Sequence, residues 1–243
     1  MMTSVHGYFN MLTETDMERY RAETFLTKEP ETIAWIDHIK PGEILLDVGA
    51  NIGIYTLYAA SRGITVYAFE PMVENYHHLV RNIEHNAYDN AFALPWAIDA
   101  GQMRMEKIYL PKTAAGASGG QLEAAKDENG KEFVPAQVRH VLTMGLCEAC
   151  DLLGILDAPL HIKIDVDGRE KDICLDMLAN GPFTRRSVLV EINRNAWPLT
   201  DAIEAFVFWN MTFDNEFNKH TPHSRERRQR EGIAAENVVF TRR

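Results

Sequence analysis

The sequence predicts an α/β domain built on a mostly parallel sheet, and three observations carry that expectation. Short runs rich in branched and aromatic residues alternate along the chain with stretches of helical periodicity, the order that gives strand–helix–strand units. Two of these runs, at 44–48 and 161–166, are largely apolar, as buried strands are. Turn residues punctuate the alternation at Pro41-Gly42, Gly63, Glu70-Pro71 and Gly181-Pro182. With 243 residues, 46% of them hydrophobic, the chain suits one domain with extensions.

Residues 1–40 are expected to form an N-terminal helical extension, because 15–38 reads as one or two helices interrupted before Pro30. The domain proper, 41–243, opens with a turn at Pro41-Gly42 and a buried strand at 44–48. A glycine-containing loop follows at 49–53, and Ile54, Leu57, Tyr58 and Ser61 continue at helical spacing to a stop at Gly63. A second strand is predicted at 64–69 and is broken by Glu70-Pro71. Val73, Tyr76, Leu79, Val80 and Ile83 then repeat with helical period as far as Asn86, and 92–98 reads as a third strand. Residues 99–137, punctuated by Gly101, Gly116, Gly119, Gly120 and Gly130, predict an irregular insertion or a hairpin around 104–110, a candidate substrate loop or lid. Beyond it come a buried strand at 161–166, a helix at 171–179 and a strand at 187–192. Two weaker strands, 206–213 and 237–241, suit a terminal antiparallel pair.

Composition narrows the function. Lys and Arg number 25 against 35 Asp and Glu, a net charge of -10. Residues 219–243 hold seven Lys or Arg and three Glu, so the first 218 residues stand at -14. A body so acidic repels a polyanion, and nucleic acid is not an expected partner. The run Arg225, Arg227, Arg228 and Arg230, with His220 and His223 nearby, suits a phosphorylated or acidic acceptor, or a solvated charged segment. Asp47, Asp165 and Glu191 cut the longest apolar stretches far short of the roughly 20 residues that cross a bilayer, so no transmembrane segment is expected. The first residues lack the features of a secretory signal, and Cys147, Cys150 and Cys174 cannot make a disulfide framework. A cytoplasmic protein with reduced thiols is the expectation. The pair Cys147 and Cys150 has zinc spacing but no second pair, and reads as thiols on a helix.

The chemistry concentrates where strands end. From Leu45 to Gly53 a buried strand passes through Asp47 into a tight loop and a helix. Glycines there admit a ligand close to the backbone, and the helix start offers free N–H groups. The spacing G-A-N-I-G is not the dinucleotide fingerprint, and Asp47 repels a pyrophosphate but suits a cationic amino group. Glu70 ends the next strand 17 positions after Gly53, where a carboxylate accepts both hydroxyls of a ribose. The two signals together point to an adenosine cofactor with a cationic amino-acid end.

Four segments in this order, Asp47-Val48-Gly49-Ala50-Asn51-Ile52-Gly53, Ala68-Phe69-Glu70-Pro71, Ile162-Lys163-Ile164-Asp165-Val166-Asp167-Gly168 and Val188-Leu189-Val190-Glu191-Ile192, closely resemble the FkbM-type methyltransferases over residues 42–195. The resemblance implies a class I methyltransferase fold, a Rossmann-like sheet of seven mostly parallel strands with helices on both faces. It implies S-adenosyl-L-methionine as cofactor and methylation of a hydroxyl on a sugar, polysaccharide or secondary metabolite. It further implies that Asp47, Gly49, Ala50, Asn51 and Gly53 line the methionine portion, that Glu70 holds the ribose, and that Ala97 and Asp99 lie near the adenine. Asp167 stands where the family usually has Glu, and 141–146 lacks the acid of the usual Thr-Leu-Asp.

Methyl transfer from a sulfonium requires alignment, and a hydroxyl acceptor must lose its proton. Asp165 and Asp167 follow a buried strand at its carboxyl end, and Glu191 ends a neighbouring strand on the same edge. Asp165 is therefore assigned to the methyl end of the cofactor, and Asp167 or Glu191 to the acceptor. Lys163, on the same strand face as Asp165, reads as a charge balancing Asp47 or Asp165. Three carboxylates near one cleft have the chemistry to hold Mg²⁺ or Ca²⁺, but no dense acidic loop or histidine cluster accompanies them and no metal ligand is assigned. The alternative readings are a nicotinamide-dependent oxidoreductase and a non-catalytic binding module on the same fold. Hydrophobic residues of 99–137 suit a partner subunit as well as a substrate, so an oligomer is compatible with the sequence.

Overall fold

A computed structural model describes residues 1–127, 129–181, 185–218 and 235–242. The chain opens with a hairpin, β1 (Met2–Val5) and β2 (Phe9–Leu12), followed by α1 (Asp16–Lys28) and α2 (Pro30–Ile36). Then come β3 (Ile44–Val48), α3 (Ile54–Ser61), β4 (Thr65–Phe69), α4 (Val73–His85) and β5 (Ala91–Leu94). A second group holds β6 (Ala97–Ile98), β7 (Arg104–Leu110), β8 (Gln121–Leu122) and β9 (Gln137–Met144). The last part contains α5 (Leu146–Leu152), β10 (Leu160–Ile164), α6 (Glu170–Asn180), β11 (Arg185–Asn193), α7 (Leu199–Phe208), β12 (Met211–Phe213), α8 (Asn215–Asn218) and β13 (Ala235–Arg242).

Seven strands form the main sheet in the order β5-β4-β3-β10-β11-β13-β12. The five from β5 to β11 are parallel, while β13 runs antiparallel to both β11 and β12. This is the seven-stranded, mostly parallel α/β sheet expected from the sequence. Strand alternation sends side chains to two cores. Leu45, Val66, Ala68, Leu189 and Val239 face α1 to α4 and the hairpin, with Phe25, Trp35, Leu57 and Leu79. Leu46, Val48, Ile162, Ile164, Val188, Val190 and Phe240 face α5 to α7, with Cys150, Cys174, Met177 and Phe206. Helices therefore cover both faces. The same alternation puts Asp47 and Lys163 on the first face, where register sets them directly side by side on β3 and β10.

Four features differ from the sequence reading. The N-terminal extension begins with a hairpin rather than a helix, turned at His6-Gly7 with φ of +48° and +78°. Val5, Phe9 and Met11 of this hairpin enter the core, which fixes it against α1 and α3. The strand expected at 92–98 divides in two: β5 pairs with β4 as far as Leu94, and after Pro95, which has no N–H to give, Ala97-Ile98 pair with Thr143-Met144. The insertion at 99–137 is more regular than expected, since with β6 and β9 it builds a four-stranded sheet in the order β6-β9-β7-β8. The run at 206–213 divides between the last residues of α7 and β12 (Met211–Phe213), and the strand part does pair antiparallel with β13 as expected. Among the described residues, no helix is long and apolar enough to cross a membrane.

Candidate active site

The strand order reverses between β3 and β10, the point where open α/β sheets leave a crevice at their carboxyl ends. The two chains meet there closely. Asp165 N donates to Val48 O at 3.1 Å, and a Cβ on Gly49, whose φ is +82°, would sit 1.9 Å from Asp165 O. Only glycine fits. The loop is pinned from β4, whose Phe69 carbonyl accepts both Gly49 N and Ala50 N at 3.0 Å. Asn51 takes a φ of +54°, a conformation asparagine tolerates, and its side chain accepts its neighbour Ile52 N at 2.9 Å.

A cleft of about 460 Å³ opens at this place, within the range of small-molecule sites. Gly49, Asn51, Glu70, Asp165, Asp167 and Glu191 all line it. Glu70 follows β4 and accepts Asn51 N and Met72 N, each at 2.8 Å, one on each carboxylate oxygen. Burial pushes its carboxyl up to about 7, while hydrogen bonds from Met72, Asn51 and Asn75 favour the charged form.

Lys163 is fully enclosed behind the cleft. Its ammonium lies 3.0 Å from Asp165 Oδ2 and 3.6 Å from Asp47 Oδ1, and 5.4 Å from the centre of the Tyr55 ring. Burial alone would lower its pKa, but the carboxylates of Asp165, Asp47 and Glu29 raise it above the ordinary lysine value and keep the ammonium charged. Asp47 has no exposed surface; its Oδ2 accepts Thr56 Oγ1 at 2.6 Å, and it does not line the cleft. The lysine is thus the balancing charge that its strand position suggests.

The turn after β10 is built around Glu170, whose carboxylate accepts Val166 N at 2.8 Å and Gly168 N at 3.0 Å. This holds Asp167 at a φ of +62°, uncommon for a residue with a side chain. Asp167 Oδ2 accepts Gly119 N at 2.7 Å, and its main-chain oxygen accepts the Gln121 amide. Burial and the nearby Asp165 raise the Asp167 carboxyl above the ordinary aspartate value. Glu170 is pushed up to about 7, chiefly by burial.

Other predicted residues lie off the wall of the cleft. Ala50 and Gly53 serve the loop and the start of α3. Ala97 is buried in the small sheet. Asp99 is fully buried and occupied by Arg104, 2.7 Å away, and Arg169, 2.9 Å away, so its side chain bonds the small sheet to the chain just before α6. Sequence reasoning missed Arg21, Asn75, Gln121 and Asn129, which line the cleft, and Glu170, which shapes it. A signal for Asn75 was present: it shares a helix face with Leu79, Asn82 and Ile83, a place for apolar residues.

The basic run Arg225, Arg227, Arg228 and Arg230, with His220 and His223, lies outside the described residues. Among the described residues no group of three His, Cys, Asp or Glu is arranged to hold a metal ion. A second cavity, of about 450 Å³, lies where β3, β10 and β11 begin, between Trp35, Glu43, His161, Arg186 and Ser187. It is at the amino ends of the parallel strands, opposite the edge where such sheets carry their sites.

The precorrin-6y C5,15-methyltransferase of Geobacter metallireducens GS-15 superposes with a TM-score of 0.45 at 9% identity, covering 100% of this chain and 98% of that one. The magnesium protoporphyrin IX methyltransferase of Synechocystis PCC 6803, solved with S-adenosylmethionine bound, superposes with a TM-score of 0.47 at 10% identity, covering 96% and 86%. No curated protein matches the sequence. The methyltransferase FkbM domain matches residues 47–218, which span the glycine loop, Glu70, the Asp165 turn and Glu191. With this match over more than half its length and a seven-stranded class I methyltransferase sheet, the chain belongs to the FkbM methyltransferase family.

Proposed function

We propose that this protein transfers a methyl group from S-adenosylmethionine to a hydroxyl of a sugar, polysaccharide or secondary metabolite. The observation that carries the reading is the convergence of Gly49, Asn51, Glu70 and Asp165 on one cleft at the β3–β10 switch point, within a methyltransferase family match. The residues present fit such a cofactor. Each Glu70 oxygen accepts one main-chain N–H and keeps capacity for a ribose hydroxyl, and the carboxylates of Glu70, Asp165, Asp167 and Glu191 make the cleft suited to a cation.

When bound, S-adenosylmethionine supplies a methyl group already activated on sulfur. The protein's part is alignment and proton removal. Gly49 and Asn51 shape the floor for the amino-acid end, and Glu70 holds the ribose. Lys163 fixes the Asp165 carboxylate at the methyl end. Asp167, whose proton affinity burial and Asp165 raise, takes the acceptor's proton, and Glu191 lies along the same wall to orient the acceptor. Asp47 acts from behind, anchoring Lys163 and Thr56 rather than touching the cofactor.

The test is transfer of labelled methyl from S-adenosylmethionine to a panel of hydroxylated glycans and metabolites, followed by alkali. Label in an alkali-stable, non-basic ether supports the reading. Label retained as a methylamine or released as methanol from an ester would replace it with another acceptor class.

A further inference from the structure

The segment between β7 and β8, residues 111–120, forms part of the wall of the cleft, where Ala117, Ser118, Gly119 and Gly120 line it together with Glu70 and Asp167. None of its residues belongs to a helix or strand. Its fastenings are side chains from separate elements. Thr15 Oγ1 donates to Ala115 O at 3.1 Å, and Arg21 to Gly116 O at 3.0 Å. Asp167 accepts Gly119 N. The most complete fastening is Asn75 of α4, which has no exposed surface: its Oδ1 accepts Gly116 N at 2.8 Å and its Nδ2 donates to Ala117 O at 3.0 Å. The Ala117 carbonyl also accepts Asn51 Nδ2 at 2.8 Å, and the Asn51 main-chain N–H donates to Glu70. One amide thus grips main-chain groups of two successive residues of the wall, and the wall is joined through Asn51 to the carboxylate that faces the cofactor.

We infer that Asn75 is a positioning residue that latches segment 111–120 as a movable wall of the cleft, so that a bound adenosyl ligand and the latched wall stabilise each other. The inference rests on the cofactor reading above and adds to it which residue holds this wall in place. An asparagine is suited to this because the same side chain must accept from the N–H of one residue and donate to the carbonyl of the next, which neither aspartate nor leucine can do. By reciprocity, whatever the latch adds to ligand affinity the ligand adds to wall closure.

Lys112 is exposed at the start of this segment and provides the readout, because trypsin cuts after it when the segment opens. The experiment measures S-adenosylhomocysteine affinity by calorimetry and the rate of cleavage at Lys112 with and without that ligand, in the wild-type protein and in Asn75→Asp and Asn75→Ser. Urea unfolding of each ligand-free protein runs alongside. The expected result is at least fivefold slower cleavage of the wild type with ligand, less than twofold slowing in the variants, and at least tenfold weaker ligand binding in them. A merely structural role would lower the urea midpoint but leave the protection ratio intact, and that outcome overturns the inference. Absence of protection in the wild type despite binding also overturns it, without a folded variant being needed. Failure of the wild type to bind S-adenosylhomocysteine overturns the cofactor reading and this inference with it.

Discussion

Replacing Lys163 by Met tests the electrostatic arrangement behind the cleft. The thioether keeps the length and packing of the lysine stem, so the change is mainly the loss of one positive charge. At 3.6 Å and an effective dielectric constant of about 20, the attraction between Lys163 and Asp47 is roughly 4 to 5 kcal/mol before desolvation is subtracted. Asp165 is partly exposed and recovers hydration when the lysine goes, whereas Asp47 is fully enclosed and retains only Thr56. Stranding a buried charge in this way costs about 3 to 5 kcal/mol. With a urea dependence of about 3 kcal/mol per M, the midpoint should fall by roughly 1 to 1.7 M at pH 7. Adding Asp47→Asn to Lys163→Met should restore at least half of the loss. Urea unfolding followed by circular dichroism measures all of this. A loss below about 1 kcal/mol, or a double variant no more stable than the single one, would refute the reasoning.

Three further outcomes follow from other contacts. Asp99→Asn should cost about 2 to 3 kcal/mol in thermal or urea unfolding, because a buried carboxylate pairs with Arg104 and Arg169, yet leave S-adenosylhomocysteine affinity within about twofold. A tenfold weaker affinity in a fully stable variant would return Asp99 to the adenine pocket. The folded-state pKa values of Glu70 and Glu170 are raised to about 7 by burial, so each favours the ligand-free fold most below its ordinary value of 4.5, and that contribution is lost as pH rises through 7. Glu170→Gln should flatten this part of the stability profile between pH 4.5 and 7; an unchanged slope would show that Glu170 does not titrate there. Asp165→Asn should lower turnover with the acceptor found by labelled-methyl transfer at least about a hundredfold under conditions where the variant is fully folded, and an unaltered rate would remove Asp165 from the reacting centre.

The strands that carry the site were legible because their signals are local. Ile44–Val48 reads as a buried strand from five residues, and Gly49 announces a close approach that proves to be the Asp165 carbonyl. The motif acids at strand ends, Glu70, Asp165, Asp167 and Glu191, do share one cleft. What local patterns could not supply was pairing across the chain. Nothing near Asp99 in sequence announces Arg169, whereas Lys163 was legible as a balancing charge from its place on the strand face it shares with Asp165. The first strand pair escaped because its apolar residues, Val5, Phe9 and Met11, gain their meaning only against Phe25 and Tyr58. Asn75 escaped for a similar reason: its partners are main-chain groups of residues 41 and 42 positions away, which no residue pattern encodes.

The central claim is that the cleft between Gly49, Glu70 and Asp165 holds an adenosyl cofactor through the Glu70 carboxylate. Calorimetric titration of the wild-type protein and a folded Glu70→Ala variant with S-adenosylhomocysteine, with NAD as the control, tests it most directly. The predicted result is saturable binding by the wild type, no heat from NAD, and affinity weakened by about 1 to 3 kcal/mol in the variant, the worth of charge-assisted hydrogen bonds. Wild-type affinity in Glu70→Ala, or binding of NAD in place of the adenosyl ligand, would contradict it.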